Sequence, residues 1–311
     1  MNNEVLSERF QALADPALWR ALAPALHVGD DRLSVAATQP IDFDAAILAG
    51  LKDDLLREGY FQLPVLDWGI EVAHVAAGVS AVVAAGYLPA FAFMYDETWF
   101  MYARLRKLMA AVLDDGYKMM PAFWAWHVDG KREGAGWTPH RDLGYRTLLP
   151  DRRPKAMTFW LPLTEATPQN GCMYLMPANL DPFYGTPQDH QLKIDLQSMR
   201  ALPSPAGGVL AWTQAVFHWG GRARIPVTTP RISISVEFQR GDQPPFYEPL
   251  LDPQQTPDMT SRLRLILRQV LQYKHMYPLS PDLQSLAEAA AYRPGLTPAF
   301  LEDMMQRNKP A

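Results

Sequence analysis

The feature that most limits the fold of this chain is a run of alternating polar and apolar residues over positions 231–238. A period of two is that of a β-strand whose two faces meet different surroundings. The apolar members of the run, which share one face, are Ile232, Ile234, Val236 and Phe238. The polar members, which share the other face, are Arg231, Ser233, Ser235 and Glu237. The run therefore predicts a strand with one apolar and one polar face.

Further short segments predict a sheet around this strand. The chain has 28 Pro and 19 Gly, which divide it into short elements, and Asn170-Gly171 is a strong hairpin signal. The other predicted strands lie at 60–63, 123–127, 157–161, 172–176 and 208–212. This pattern predicts a mainly β chain with flanking helices and a double-stranded β-helix core, the jelly-roll or cupin-like barrel.

Helical spacing predicts helices before and after the strands. The candidate helices lie at 41–56, with Asp42 and Asp44 as caps, and at 70–86, 97–114 and 261–274. We expect the last of these, a basic amphipathic helix, to pack its apolar face on the rest of the chain. We also expect a single domain over 1–311. Its predicted parts are a mostly helical part at 1–120, the jelly-roll core at 121–240 and a C-terminal helical extension at 241–311.

One segment, 72–95, has no charged side chain and is long enough to span a bilayer. It is mostly Ala, Gly and Val, with almost no Leu or Ile, so its insertion into lipid would be weakly driven. We therefore expect a buried helix and no transmembrane span. The first residues lack the basic and apolar regions of a signal peptide, and the expected location is cytoplasmic.

Charge and cysteine content exclude several classes of protein. The formal net charge is 29 − 33 = −4, which argues against a general nucleic-acid binder. Cys172 is the one cysteine of the sequence, so a disulfide framework or a cysteine-based zinc site cannot form within one chain. A metal site would therefore use His, Asp and Glu. A homo-oligomer is compatible with this composition.

Two His-x-Asp triplets, His127–Asp129 and His140–Asp142, suggest such a metal site. Residues i and i+2 of a strand point to the same side, so each triplet offers an imidazole and a carboxylate to one ion. A histidine from a distant strand, such as His218, would complete a two-His-one-carboxylate triad, which leaves positions open on Fe(II). The triplet alone is weak evidence, because aspartate is common and seven histidines give seven chances.

The residues downstream of the triplets strengthen this hypothesis. Arg231 follows His218 by thirteen residues and lies on the polar face of the alternating strand. An arginine buried inside a barrel needs an anion, and its fork-shaped guanidinium matches a carboxylate. Ser233, on the same face, could add a hydrogen bond.

Several segments of the chain resemble the phytanoyl-CoA dioxygenase family of Fe(II)/2-oxoglutarate-dependent oxygenases. The resemblance covers about residues 41–240, in the order and near the spacing of the family. The segments that carry it are Glu58–Pro64, Trp137–Asp142, Thr158–Leu163, Asn170–Pro177, His218–Gly220 and Arg231.

The resemblance implies a role for each matching residue. His140, Asp142 and His218 would hold Fe(II), and Arg231 would pair with the distal carboxylate of 2-oxoglutarate. Trp160 stands where the family often places a bulky residue beside the co-substrate, although plain core packing explains it equally well. The chain departs from the family at Gly220, where family members often have a hydroxyl residue. Ser233 is the candidate to supply the hydrogen bond that this hydroxyl would make.

The activity implied is that of a dioxygenase that uses Fe(II), 2-oxoglutarate and O2. It would hydroxylate an unactivated C–H bond of a small-molecule substrate and release succinate and CO2. Because Asp142 is present, hydroxylation is favoured over halogenation, whereas desaturation and ring formation stay open.

Three alternatives remain at this point. His127–Asp129 could replace His140–Asp142 as the ligand pair, although its spacing to the following strand fits the family less well. The chain could also be a cupin-like metal enzyme that does not use 2-oxoglutarate, or a non-catalytic ligand-binding barrel.

Two groups of residues bear on the substrate. The aromatic residues that could line a pocket are Trp124, Trp126, Trp137 and Tyr145. The basic residues that would either receive an anionic substrate or form a solvated loop are Arg141, Arg146, Arg152, Arg153 and Lys155.

Overall fold

The computed structural model describes residues 3–29, 33, 39–130, 136–223, 227 and 229–291. Its strands form two antiparallel sheets, one of five strands in the order β1-β6-β3-β8-β2 and one of three in the order β5-β4-β7. The strands are β1 (Tyr60–Leu63), β2 (Lys118–Val128), β3 (Ala156–Pro162), β4 (Met173–Met176), β5 (Arg200–Leu202), β6 (Val209–Thr213), β7 (Phe217–Gly220) and β8 (Arg231–Gln239).

Helices precede, separate and follow these strands. The α-helices of the described residues are α1 (Asn3–Ala14), α2 (Pro16–Leu22), α3 (Ala45–Glu58), α4 (Val72–Ala84), α5 (Asp96–Arg104), α6 (Arg106–Val112), α7 (Met259–Gln272) and α8 (Pro281–Ala291). Short 3-10 helices occur at Pro89–Met94, Gly144–Thr147 and Leu196–Ser198. The predicted β core with flanking helices is confirmed. In the described part of the chain the two sheets are separate, and they do not close into one hydrogen-bonded barrel.

The strand β8 has the two faces that its sequence predicts. Its apolar residues, such as Ile234 and Phe238, are buried in the large hydrophobic cluster that includes the helices. Its polar residues share their face with the in-register residues of the neighbouring strands, so that Trp160 of β3 and Trp124 of β2 both lie opposite Ser235. Trp160 belongs to a second cluster, with Met173 of the small sheet. We call this side of the large sheet, which faces the small sheet, the inner face.

The connection from α3 to β1 shows how local sequence sets this geometry. The Asp44 side chain accepts a hydrogen bond from the Ala46 N–H at 2.7 Å, so Asp44 caps α3 as predicted. Gly59 ends the helix with φ of 78°, a left-handed conformation that favours glycine. A Cβ at position 59 would also lie 2.5 Å from the Val216 side chain. Because glycine has no Cβ, the turn can pack against Val216, the residue before β7.

Two helix predictions are wrong in part. The segment 72–95 is not one buried helix, because α4 ends at Ala84 and a 3-10 helix starts at Pro89. Gly86 between them has φ of 87°, and Pro89 has no N–H to continue the helix. The predicted helix at 97–114 is likewise two helices, α5 and α6, that meet at Leu105. Among the described residues, every helix is too short or too polar to cross a membrane.

Other elements differ from the sequence interpretation in their place in the sheets. The strand β1, assigned to the helical N-terminal part, pairs with β6 at the edge of the large sheet. His218, predicted to follow a strand, lies on a separate strand, β7, and the three-residue strand β5 was not predicted. Both strands are too short for a periodicity of two to stand out in the sequence.

The helix α7 packs on the outer face of the large sheet, as its apolar face predicts. Leu263, Ile266 and Val270 are fully buried there. Its Gln269 spans the irregular stretch of β2, where the side chain donates to the Pro121 carbonyl at 2.6 Å and accepts from the Phe123 N–H at 3.2 Å. These two bonds replace ladder bonds that the bulge removes.

We expect Arg262→Ala to destabilise the chain by about 3–5 kcal/mol, because it breaks a buried ion pair by removing one of its members. The Arg262 guanidinium lies 2.5 Å from the Asp96 carboxylate and donates to the Met94 carbonyl at 2.7 Å. Urea denaturation measures the change. Arg264→Ala on the same helix removes only a cation–π contact with Phe10 and should cost about 1 kcal/mol or less. Equal losses in the two variants would contradict this prediction.

Candidate metal and co-substrate site

Two backbone hydrogen bonds bring the loop before β3 against the small sheet. The His140 N–H donates to the His218 carbonyl at 3.0 Å, and the His218 N–H donates to the His140 carbonyl at 2.9 Å. The two imidazole rings lie with centroids 4.4 Å apart. Histidines that are 78 positions apart in the sequence are therefore neighbours in the fold.

Asp142 completes a cluster with these histidines. Its Oδ1 lies 3.3 Å from His140 Nε2 and 3.6 Å from His218 Nε2. One ligand atom from each of the three residues lies within 4.8 Å of the others, which is the only such group of His, Cys, Asp and Glu among the described residues. Two imidazoles and one carboxylate form the donor set of a facial triad.

Each member of the cluster is oriented by a second hydrogen bond. His140 Nδ1 lies 2.8 Å from the Thr138 carbonyl, and His218 Nδ1 lies 3.0 Å from the Val216 carbonyl. A carbonyl oxygen only accepts, so each Nδ1 carries the proton and each Nε2 presents its lone pair to the cluster.

The carboxylate of Asp142 is held in the same way. Its Oδ2 accepts from Thr158 Oγ1 at 2.8 Å and from Trp212 Nε1 at 3.1 Å, which leaves Oδ1 directed at the histidines. The hydrogen bonds from these two donors to Asp142 were not predicted from the sequence. They are inward-facing residues of β3 and β6, where the pairing places them directly opposite each other.

The charges of the cluster favour a metal-binding state. Burial alone would raise the pKa of Asp142, but the histidines and the Thr158 hydrogen bond outweigh it and hold this pKa below its usual range. Burial lowers the pKa of His218 to about 4, with Asp142 acting in the opposite direction. Near neutral pH the carboxylate is therefore ionised and the imidazole neutral, which are the forms that bind metal.

Arg231 opens β8 on the same inner face and is 2% exposed. Its Nη1 donates to Ser233 Oγ at 3.1 Å, and its guanidinium carbon lies 5.9 Å from the centre of the Trp160 ring. Burial lowers the pKa of Arg231 to about 10, and its Nε has no hydrogen-bond partner among the described residues. A buried cation with an unused donor fits the carboxylate of a bound ligand.

The neighbourhood of Arg231 explains the departure at Gly220. A Cβ at this position would lie 3.4 Å from Arg231 Nη2, so a hydroxyl residue here would reach the guanidinium. The Ser233 hydroxyl makes such a contact instead, because it accepts a hydrogen bond from Arg231 Nη1. Trp160 is 1% exposed beside them, and its Nε1 has no partner in the described part of the chain.

The competing triplet stays outside the cluster. His127 lies near the end of β2, where its register partner on β8 is Ile232 of the outer face. The side chains of His127 and Asp129 are absent from the metal-ligand group of the described residues. This geometry favours His140–Asp142 over His127–Asp129.

Arg141, between the two ligands, has a structural role. Its guanidinium pairs with buried Asp181 at 2.6 Å and donates to the Ala215 carbonyl at 2.7 Å and the Asp189 carbonyl at 2.9 Å. These contacts hold the backbone between His140 and Asp142. Because Arg141 is engaged in this way, it is a poor candidate for receiving an anionic substrate. The basic residues that follow, Arg146, Arg152 and Arg153, are exposed.

We expect Thr158→Val to weaken metal binding about tenfold, because it removes one of two donors to Asp142 while keeping the shape of the side chain. Titration of the metal-free protein with Co(II), followed by its visible absorption, measures the affinity. Thr186→Val, whose hydroxyl donates to the Phe183 carbonyl away from the cluster, is the matched control. Unchanged affinity in Thr158→Val would show that the hydrogen bond does not support the ligand.

Comparison with known proteins assigns the chain to a class of enzymes. A family model described as phytanoyl-CoA dioxygenase matches residues 91–224, the segment that contains His140, Asp142 and His218. The donor set and this match make the chain an enzyme of the Fe(II)/2-oxoglutarate-dependent oxygenase class. The match covers less than half of the chain, and it confirms the resemblance to a phytanoyl-CoA dioxygenase-like family. Its cofactor and co-substrates are Fe(II), 2-oxoglutarate and O2, as predicted.

Solved structures are similar to this chain at low sequence identity. The non-heme monooxygenase ThoJ, in a nickel complex, is 14% identical with a TM-score of 0.51 over 76% of this chain and 99% of that chain. The epimerase SnoN, in complex with Fe3+, alpha-ketoglutarate and nogalamycin RO, is 18% identical with a TM-score of 0.49 over 63% and 85%. EctD from S. alaskensis, with 2-oxoglutarate and 5-hydroxyectoine, is 17% identical with a TM-score of 0.46 over 65% and 79%. No curated protein matches the sequence.

Proposed function

We propose that this chain hydroxylates an unactivated C–H bond of a small-molecule substrate and releases succinate and CO2. In this proposal His140, Asp142 and His218 are the iron ligands. The observation that carries it is the convergence of these three side chains within 4.8 Å, each oriented by a further hydrogen bond.

Arg231, Ser233 and Trp160 form the co-substrate end of the proposed site. The family match ends at residue 224, so the role of Arg231 rests on its own surroundings. A buried guanidinium that has no carboxylate partner in the described structure provides both charge and paired donors for the distal carboxylate of 2-oxoglutarate. Ser233 lies beside it as an additional hydroxyl.

When bound, iron and 2-oxoglutarate supply the oxidising chemistry, in which 2-oxoglutarate and O2 give succinate, CO2 and one oxygen atom for the substrate. The chain holds and orients these groups. Asp142 fills the third ligand position, which favours hydroxylation over halogenation. Trp160 and Trp212, at 1% and 3% exposure, limit the access of water to the site.

We also propose a double-stranded β-helix in which the five-stranded and three-stranded sheets are the two halves. The whole chain would form one domain, because a single hydrophobic cluster includes residues from Trp19 of the N-terminal part to Ala287 of the C-terminal part. The N-terminal helices and α7 pack on the outer face and stiffen the sheet that carries Arg231.

The test is turnover of a small-molecule library in the presence of Fe(II), 2-oxoglutarate and isotopically labelled O2. We expect succinate release that depends on the substrate, together with a product that carries one labelled oxygen atom. Asp142→Ala should lose both signals. A product that lacks two hydrogens and has no label would replace hydroxylation by desaturation or ring formation. Protein that binds iron but never 2-oxoglutarate would support the cupin-like alternative, and protein that binds neither would support the non-catalytic barrel.

A further inference from the structure

Glu237 is a half-buried acidic side chain that the assigned site does not use. It lies on the inner face of β8, six residues beyond Arg231, which is about 20 Å along a strand. Its register partner on β3 is Thr158, the residue that donates to Asp142. Glu237 therefore lies at the level of the metal ligands, at the end of the strand away from the co-substrate arginine.

The charge of Glu237 has no cationic partner in the described residues. Its Oε2 accepts a hydrogen bond from Gln214 Nε2 at 2.7 Å, and its electrostatic neighbour is the like-charged Asp142. Burial, and then Asp142, raise the pKa of Glu237 well above its usual value. A cation bound beside this carboxyl would oppose both effects and favour its ionised form.

Two further polar atoms beside Glu237 lack partners in the described structure. Gln214 is fully buried and its Oε1 accepts no hydrogen bond, while Trp124 is 1% exposed and its Nε1 donates none. Trp124 lies opposite Ser235, the inner-face residue next to Glu237. Unpaired buried groups of this kind are unfavourable, and a bound ligand that pairs with them recovers the lost free energy.

Aromatic rings border the same region. Tyr273, which follows α7, has its ring centroid 4.7 Å from that of Trp124 and 5.5 Å from that of Trp137. Burial raises the pKa of Tyr273, and the charge of Glu237 acts in the same direction. Trp137 and Tyr273 are half-buried, and the Trp137 ring centroid lies 5.3 Å from that of the His140 imidazole. Aromatic faces attract cations as well as apolar rings.

We propose that Glu237 binds the protonated amino group of the substrate, whose ring or hydrocarbon body packs against Trp124, Trp137 and Tyr273. This inference rests on the proposed function and adds the substrate class to it. An ammonium group has donors for both Glu237 and Gln214 Oε1, whereas Glu237 and Asp142 repel an anion. A neutral hydroxyl would satisfy Gln214 but would leave Glu237 without a counter-charge.

The overall charge of the site agrees with a cationic substrate. With the site loaded, the two charges of the iron and that of Arg231 balance Asp142 and the two carboxylates of 2-oxoglutarate. Ionised Glu237 is then the remaining charge among the described inner-face residues. This assignment differs from the anionic substrate that the basic loop suggested, because Arg141 of that loop is already paired with Asp181.

Calorimetric titration with three probes that share one ring tests the proposal: benzylamine, benzyl alcohol and benzoate. We expect wild-type protein to bind benzylamine at least about tenfold more tightly than benzyl alcohol, and benzoate most weakly. Glu237→Gln keeps the shape and the bond to Gln214 but removes the charge, so its amine-to-alcohol preference should fall to about one. Asp151→Asn removes an exposed carboxylate and should keep the preference.

The titrations are made on metal-free protein and repeated without oxygen in the presence of Fe(II) and 2-oxoglutarate. Equal binding of amine and alcohol, absence of benzylamine binding, or a preference that survives in Glu237→Gln would each overturn the proposal. Glu237→Gln should fold at least as stably as wild type, because it removes an uncompensated carboxyl. The visible absorption band of the Fe(II)–2-oxoglutarate complex in the same samples reports on the proposed function separately. A band without amine preference would reject the substrate class alone.

Discussion

His218→Ala protein is expected to show no visible absorption band when Fe(II) and 2-oxoglutarate are added without oxygen. Wild-type protein should show a metal-to-ligand charge-transfer band that requires both additions. The substitution removes one of the three proposed ligands and leaves its position open, so we expect iron affinity to fall by roughly 100-fold or more. Anaerobic titration of metal-free protein, followed by absorption and by dialysis with iron analysis, measures both effects.

The competing histidine provides the matched control for this experiment. His127 belongs to the other His-x-Asp triplet and lies outside the metal-ligand group of the described residues. His127→Ala should therefore keep the band and the iron affinity. Loss of the band in His127→Ala together with its retention in His218→Ala would reject the assigned ligand set.

The second large effect is expected for Arg231→Met. This variant should keep iron binding but require far more 2-oxoglutarate to produce the band. Removing one partner of a buried charge pair costs about 2–5 kcal/mol of binding free energy. That range corresponds to roughly a 30-fold to several-thousand-fold weaker apparent Kd. Titration with 2-oxoglutarate at saturating iron gives the value.

The stability of the same variant separates co-substrate binding from a structural role. Arg231 makes one side-chain hydrogen bond, to Ser233, and has no carboxylate partner in the described structure. Replacing an uncompensated buried charge by an apolar side chain should leave the free energy of unfolding unchanged or increase it. Arg153→Met, at an exposed arginine, is the control for both measurements. Strong destabilisation with unchanged 2-oxoglutarate affinity would make Arg231 a structural residue.

The elements with strong local signals could be predicted from the sequence. The strand β8 was predicted from its alternation, β1 was predicted with its observed bounds, and the Asp44 cap marked the start of α3. Elements with weak local signals were missed or merged. The strand β7 has four residues. It is formed by backbone pairing of its residues with β4 and of His218 with His140 in the loop before β3. The predicted helix at 97–114 merged α5 and α6, which meet at Leu105 in a segment without glycine or proline.

The candidate site was predicted at the level of its main side chains. His140, Asp142, His218, Arg231 and Ser233 were named from motifs, and the structure brings the first three together and pairs the last two. The residues that orient or surround them were not found, because Thr158, Trp212 and Gln214 carry no spacing signal. Glu237 was visible only as a polar position of β8, and its lack of a counter-charge depends on which elements pack around it.

The sequence by itself determined the periodicity of the strands, the family motifs and the residue types available for a metal. These depend on local order along the chain, which side-chain alternation and turn residues express directly. Only the tertiary structure decided which of two His-x-Asp triplets meets His218, that Arg141 pairs with Asp181, and that Glu237 has no cationic partner among the described residues. Each of these outcomes depends on contacts between residues that are far apart in the chain. The free energy of such contacts comes from burial and charge, which exist only after the sheets have packed.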